Sequence, residues 1–265
     1  MEQQNFGSAW HLVDAHIHLD KYTKSEQQQI IDEMEQYGVE SLITVSYDIE
    51  SSKENLTLHR EHNNIKAAFG FHPEQQVLNN EAMQELRAFI DLHHHDMIAI
   101  GEVGLPYYTR KENPDLRIEP YLEILEQFII LAKRYDKPIV LHAIYEDAGV
   151  VCDLLEKNKI KKAHFHWYKG DTRTIERMIR NGYFISITPD VLYETEIQQV
   201  VKQYPLAQMM VETDGPWPFT GPFAGEMTHP QMIHQSIETI AKIKGLEIAK
   251  VYGQLLWNTK QFYCI

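Results

Sequence analysis

Asp14, His16 and His18 fall at every second position, behind the apolar pair Leu12 and Val13. In a strand, alternate residues point to the same side. The spacing therefore predicts a strand face that carries a carboxylate and two imidazoles. Burying three such groups is costly unless something satisfies them, and a divalent metal does so. The bland alternative is a polar strand face whose histidines are bonded within the core. Further along, His72, Glu102, His142, His166 and Asp214 each close an apolar run. Singly, each reads as a satisfied core or surface group. Their shared placement at the ends of expected strands is what that reading leaves unexplained.

The elements that must position these residues alternate along the chain. After the first strand, which carries His16 and His18, strands are expected over 41–46, 65–72, 97–104, 138–142, 162–166, 183–188 and 208–214. Helices are expected over 25–38, with Ser25 as the N-cap and Gly38 as the C-cap, and over 49–62, 80–94, 115–135, 147–157, 171–180, 194–203, 230–244 and 248–262. Eight strands alternating with helices is the sequence form of a (β/α)8 TIM barrel, whose strand carboxyl ends converge on one mouth. No glycine-rich linker or composition shift divides the chain, so residues 1–265 are expected to form a single barrel. The G-x-G-x-x-G turn of a dinucleotide fold is missing, as is a P-loop.

Composition narrows the class. The 265 residues are 43% hydrophobic and 24% charged, which fits an ordinary globule. No apolar run approaches the ~20 residues that span a bilayer, and residues 1–8 lack the basic and apolar regions of a signal peptide. A cytoplasmic monomer with no membrane partner is the expectation. The two cysteines, Cys152 and Cys264, cannot make a disulfide framework or a zinc ribbon. Any metal site must therefore be built from carboxylates and from the 14 histidines. A net charge of −13 argues against a protein that coats nucleic acid with a basic surface. It leaves room for a phosphodiesterase that grips a few phosphates in a metal-lined cleft.

Three nitrogen or oxygen ligands and a water make one catalytic site of the zinc type. The candidates here suffice for two ions about 3.5–4 Å apart, an arrangement used in phosphoester hydrolysis. Mixed imidazole and carboxylate ligation suits zinc, manganese, iron or cobalt and does not select among them.

In order, these motifs resemble those of the TatD family of metal-dependent hydrolases, within the amidohydrolase-like barrels, over nearly the whole length. Residues 13–20 resemble the family's opening motif, and 70–73 its G-x-H-P. Residues 101–105 resemble G-E-x-G-L, 141–142 the L-H of the fifth strand, and 166–170 H-C-F-S-G. Residues 212–217 resemble E-T-D-x-P, and 258–262 the N-x-x-x-F of the last helix. The resemblance implies two divalent metal ions, with zinc as the first candidate and manganese, magnesium, iron, cobalt or nickel as others. It implies that His16, His18, Glu102 and Asp214 hold one ion, and that Glu102, His142 and His166 hold the second. His72 would face the substrate phosphate, and Asp214 would orient or deprotonate the attacking water. Asp14 would then stand behind the ligands, orienting an imidazole or supporting the strand. The implied activity is phosphodiester hydrolysis, with DNA or a nucleotide as substrate and exonuclease or endonuclease action.

Two departures stand out. Pro106 occupies the position where the family usually has Asp, and Ile144 the position of a phosphate-binding Arg. The missing Arg and the acidic charge shift the expectation toward a smaller phosphoester, or toward an amide, ester or lactone. Lys21, Lys169 and Arg110 are candidates to replace the lost cation. A non-catalytic scaffold is the third reading. Among the remaining histidines, His93, His94 and His95 are expected to be solvated, His164 to be a core or supporting residue, and His59, His62, His229 and His234 to lie at the surface. Trp217 and Phe219 either line the cleft or fill their own loop. Asp20 is expected to bond a ligand histidine or to sit in a turn.

Overall fold

A computed structural model of the chain describes residues 10–265, so the reading of residues 1–8 lies outside the described residues. The strands are β1 (Leu12–Ile17), β2 (Val39–Val45), β3 (Ile65–Phe69), β4 (Met97–Gly104), β5 (Ile139–His142), β6 (Ala163–Phe165), β7 (Phe184–Ile187) and β8 (Met209–Val211). They pair in sequence order, and every pair is parallel. β8 returns to β1 through bonds just past the ladders: Asp214 N donates to His16 O at 2.9 Å and His18 N to Gly215 O at 2.7 Å. The result is the expected (β/α)8 TIM barrel.

The helices are α1 (Lys24–Glu33), α2 (Ile49–Glu61), α3 (Asn80–His93), α4 (Tyr107–Glu112), α5 (Glu119–Arg134), α6 (Glu146–Asn158), α7 (Thr172–Asn181), α8 (Thr195–Gln203), α9 (Ile233–Lys244) and α10 (Ile248–Tyr263). Among the described residues no helix is long and apolar enough to cross a membrane. Local chemistry explains where the helices start. Thr23, rather than Ser25, caps α1 in a reciprocal pair with Glu26. Gly38 lies beyond the end of α1, in a turn at φ +62°, where an added Cβ would stand 2.1 Å from Trp10 O; only glycine fits there. Helix α5 starts at Glu119, later than expected, with Pro120 in its first turn. The stretch before it holds α4, a six-residue helix directly after Pro106 that the sequence reading missed.

Outside the sheet, apolar strand faces bury against the helix layer in one large cluster. Inside it, Val13, Ala15, Ile43, Val45, Ala68, Ala99, Val140 and Met210 cluster with Phe262 and Tyr263 from the end of α10. Above this apolar plug runs a buried polar chain. Tyr263 Oη donates to His164 Nδ1 at 2.6 Å, and His164 Nε2 to Ser186 Oγ at 2.5 Å. Ser186 Oγ donates in turn to Glu212 Oε2. His164 is thus a core residue. Cys152 is buried and Cys264 exposed, and both are free thiols. His229 and His234, expected at the surface, are buried at 2% and 1% exposure. His234 Nδ1 meets Tyr252 Oη at 2.6 Å, and its ring is held by α10 packing on α9.

Candidate metal centre

The alternation predicted for β1 breaks partway along it. Val13 and Ala15 belong to the barrel interior, so Asp14 between them faces the other way. The register with β2 shifts between Asp14 and Ile17. A bulge of this kind re-aims the following side chains. His16 and His18 therefore both turn toward the mouth, and Asp14 turns away from them. Asp14 Oδ1 accepts from His16 N at 3.2 Å and Thr213 N at 3.0 Å, and Oδ2 accepts from Thr213 Oγ1 at 2.6 Å. It supports the strand and touches no imidazole nitrogen among these bonds. Burial raises its carboxyl to about 7.

Glu102, fully buried at the end of β4, is the centre of the constellation. Its two oxygens face two different sets of histidines. Oε2 lies 3.1 Å from His16 Nε2 and 3.2 Å from His18 Nε2. Oε1 lies 2.9 Å from His142 Nδ1 and 2.6 Å from His166 Nε2. Asp214 Oδ1 joins the first set, 3.3 Å from His16 Nε2 and 3.6 Å from His18 Nε2. Ligand atoms of His16, His18 and Asp214 lie within 4.8 Å of one another, as do those of Glu102, His142 and His166. All six residues named as ligands are thus brought together at the carboxyl ends of β1, β4, β5, β6 and β8. Asp214 sits in the left-handed region at φ +53°, a strained backbone of the sort that collects at functional sites.

Charge in the cluster is arranged as for a cation. Burial opposes a charge on Glu102, but the histidines around it hold its carboxyl well below the usual range. Burial and His166 likewise oppose a proton on His16, yet Glu102 and Asp214 push it up to about 9. Burial works against His166 too, and Glu102 and Glu212 raise it well above the ordinary imidazole value. Several polar atoms here are buried without any hydrogen-bond partner: both nitrogens of His16, Nδ1 of His18, Oε2 of Glu102 and Oδ1 of Asp214. Such atoms are rarely left alone in a folded protein. Protons on the imidazoles balance the carboxylates, and divalent ions seated among these donors would take over that role. The residues fit the group.

His72 reaches the same cluster from beyond β3, with Nε2 3.6 Å from Glu102 Oε1. Its Nδ1 accepts from Glu74 N at 3.2 Å, so the proton sits on Nε2, aimed into the site. Tyr47 stacks on its ring at 4.7 Å. Burial holds its conjugate acid down to about 3, leaving a neutral donor.

Two further carboxylates, Glu212 within the E-T-D-x-P segment and Glu74, carry no site role in the sequence reading. Glu212, two residues before Asp214, accepts from Trp167 N at 2.7 Å and stands 3.7 Å from His166 Nδ1. The alternation of β8 could have found it. Glu74 lies 3.2 Å from His142 Nε2; burial opposes its charge, but the bonds from His142 and Thr109 prevail and lower its carboxyl to about 2. Only its neighbourhood with His72 hinted at it.

The candidate replacement cations fare unequally. Arg110 Nη2 is committed to Asp147 Oδ1 at 2.6 Å. Lys21 Nζ lies over the Tyr47 ring at 4.4 Å and Lys169 Nζ over Trp167 at 4.9 Å. Ile144 is buried. Phe219 is buried with Phe223 and Met232, filling its own loop, whereas Trp217 is 49% exposed. His93 bonds Asp96 at 3.2 Å and His94 stacks on Tyr135, both ahead of β4 and so at the opposite end of the barrel. Asp20 Oδ1 is buried with no hydrogen-bond partner.

Residues 13–264 match the sequence profile of the family described as TatD related DNase. A metal-dependent hydrolase of Haemophilus influenzae, itself uncharacterised, is 38% identical over 95% of this chain and 99% of its own length. The human deoxyribonuclease TATDN3 is 27% identical over 95% of this chain and 94% of its own. Among solved structures, the TatD homologue YjjV of Escherichia coli superposes with a TM-score of 0.85, at 22% identity, over 96% of this chain and 98% of that one.

Proposed function

Because the chain belongs to the family of TatD-related DNases, we propose that it is a metal-dependent hydrolase that cleaves phosphoester bonds with a water activated between two divalent ions. One observation carries the reading: the two oxygens of Glu102 address separate ligand sets, His16 with His18 and His142 with His166. Glu102 with His16, His18 and Asp214 would hold one ion, and Glu102 with His142 and His166 the second. When bound, the ions supply positive charge that acidifies the attacking water and offsets charge on the phosphoryl oxygens.

The protein's own groups divide the remaining work. Asp214 is held ionised by His16 and the neighbouring histidines against the effect of burial. Its Oδ1 faces His16 and His18 at 3.3 and 3.6 Å, where the carboxylate would help hold an ion and orient the water beside it. His72, neutral with Nε2–H toward the cleft, donates to a phosphoryl oxygen. Glu102 holds the two halves in register, and Glu212 braces His166 from behind. The side chains are buried, so bulk water is kept from the charged groups and their interactions strengthen.

The substrate at the mouth is a small phosphoester, a nucleotide or a DNA end, rather than a long duplex. Arg110 is neutralised by Asp147, and Ile144 offers no charge. The same loss of cations favours a second reading, hydrolysis of a C–N or C–O bond in a small amide, ester or lactone. The deciding experiment is metal analysis of protein purified without added metal, followed by side-by-side assays on nucleotides, DNA, phosphodiesters, lactones and amides. Phosphoester turnover that requires metal and is lost in Asp214→Asn supports the first reading. Turnover of amides or lactones alone would replace it with the second, and a chain that neither binds metal nor turns over any substrate ends both.

A further inference from the structure

Glu74 belongs to none of the strand-end motifs, yet it joins three parts of the chain. It lies in the loop after β3 with its side chain 14% exposed. Oε1 accepts from Tyr108 N at 2.8 Å and lies 3.2 Å from His142 Nε2. Oε2 accepts from Thr109 N at 2.7 Å and Thr109 Oγ1 at 2.6 Å. Four donors thus surround one carboxylate.

The consequences follow from donor and acceptor counting. An ionised carboxylate can only accept. His142 Nε2 must therefore carry a proton. Nδ1 faces Glu102 and His166 Nε2, 2.9 and 3.2 Å away; with both nitrogens against carboxylates the metal-free ring holds both protons, and Nδ1 is the nitrogen that would give up its own to an ion while Glu74 keeps the other on Nε2. A carboxylate that fixes a ligand imidazole's tautomer from behind in this way strengthens metal binding. The other partner, α4, has six residues and no side-chain cap of its own. So short a helix does not hold itself together in water. Glu74 ties down its first two amides after Tyr107 from thirty-four residues away. The helix carries Tyr108, 47% exposed with its ring 6.3 Å from that of His142, and Arg110.

We propose that Glu74 is a positioning residue that couples α4, as one wall of the substrate cleft, to the tautomer and aim of His142. The metal half of this rests on the hydrolase reading above; the coupling of α4 does not. Loosening Glu74 releases the wall and the ligand together.

The test compares wild type, Glu74→Ala, Glu74→Gln and Thr109→Ala, the last at a part-exposed position that spares His142. Three measurements are made: zinc titration by calorimetry, nitrogen NMR of labelled histidine on the zinc-loaded chain, and amide hydrogen exchange at Tyr108 and Thr109 on the metal-free chain. In Glu74→Ala zinc affinity falls about 10–100-fold for one equivalent, the His142 proton is no longer confined to Nε2, and the two amides exchange roughly tenfold faster. Glu74→Gln, which keeps one acceptor oxygen, recovers part of each effect. Thr109→Ala speeds exchange while leaving the His142 tautomer as in wild type. Wild-type affinity, tautomer and exchange in Glu74→Ala would overturn the proposal and leave the hydrolase reading standing. A wild type that binds neither zinc nor manganese would count against the hydrolase reading, and the exchange rates alone would then decide the coupling.

Discussion

Asp14 and Thr213, separated by 199 positions in sequence, are joined by two hydrogen bonds at the seam where the barrel closes. The carboxylate of β1 takes both the backbone and the hydroxyl proton of the residue that precedes Asp214. The bond from Asp214 N to His16 O continues the seam. A candidate ligand on the first strand and one on the last are thereby set at a fixed spacing. Removing Asp14 leaves buried donors on His16, Thr213 N and Thr213 Oγ1 unpaired. Each such loss costs about 1–3 kcal/mol. Asp14→Ala is expected to lower the unfolding free energy of the metal-free chain by about 3 kcal/mol or more, and Thr213→Val by about 1 kcal/mol. Because the two residues touch, the double variant should lose less than the sum. Urea denaturation of all four proteins measures this, and strict additivity would show that the seam bonds do not act together.

The polar chain below the site predicts a separation between stability and metal binding. Glu212 touches the site through His166 and Trp167, whereas Tyr263 lies at the far end of the chain, bonded to His164. Glu212→Gln is expected to weaken zinc binding about tenfold or more, since it removes the carboxylate behind a ligand imidazole. Tyr263→Phe strands His164 Nδ1 and is expected to cost about 1–2 kcal/mol of stability with zinc affinity within a few-fold of wild type. Calorimetric titration beside thermal unfolding distinguishes the two. Equal loss of affinity in both variants would mean that the chain transmits its full length to the ligands.

These two networks also mark the limit of what the sequence discloses. The candidate ligands are legible because a barrel sends every strand's carboxyl end to one mouth, so the order of His16, His18, Glu102, His142, His166 and Asp214 along the chain is enough to gather them. The orientation of Asp14 is not legible, because alternation presumes a regular strand and β1 contains a register shift. Glu74 is hidden for a different reason. Its partners are Tyr108, Thr109 and His142, and the helix bearing two of them is too short to leave a periodic pattern. The burial of His229 and His234 is not legible either, because it depends on which helix lies over each ring, which local sequence does not record.

His229 makes that burial measurable. Its Nδ1 accepts from Gln231 N at 3.1 Å, capping a short helical turn. Glu33 Oε2 stands 3.3 Å from Nε2, but the ring nitrogen is not aligned for a hydrogen bond with it. Burial lowers the imidazole from 6.5 to about 4. Between those values the unfolded chain takes up a proton that the folded chain refuses, so stability falls as pH drops through this window and is fully present above it. His229→Asn keeps a capping oxygen and removes the titration. From about pH 7.5 to about pH 5, the wild type is expected to lose about 2 kcal/mol more than the variant. Parallel stability curves for the two proteins across that interval would exclude a buried neutral His229.

The cations left at the mouth predict how the protein handles a polyanion. Arg110 is paired with Asp147, and Ile144 stands where the resembling family usually has an Arg. Of the three candidate replacements, Lys21 and Lys169 remain, each over an aromatic ring, with Lys21 also 3.9 Å from Asp20 Oδ2. Each phosphate that a cation neutralises releases a counterion and adds about one to the slope of log affinity against log salt, slightly less on single strands. If DNA is cleaved, its KM is expected to rise with salt at a slope of about two or below. Lys21→Ala and Lys169→Ala should each remove roughly one unit of that slope while leaving kcat on a neutral-tailed small phosphodiester near wild type. A steep dependence, equivalent to six or more phosphates by the same roughly one-per-contact rule, would mean that a long duplex is gripped by surfaces away from the mouth. It would overturn the small-substrate reading while leaving the two-ion centre in place.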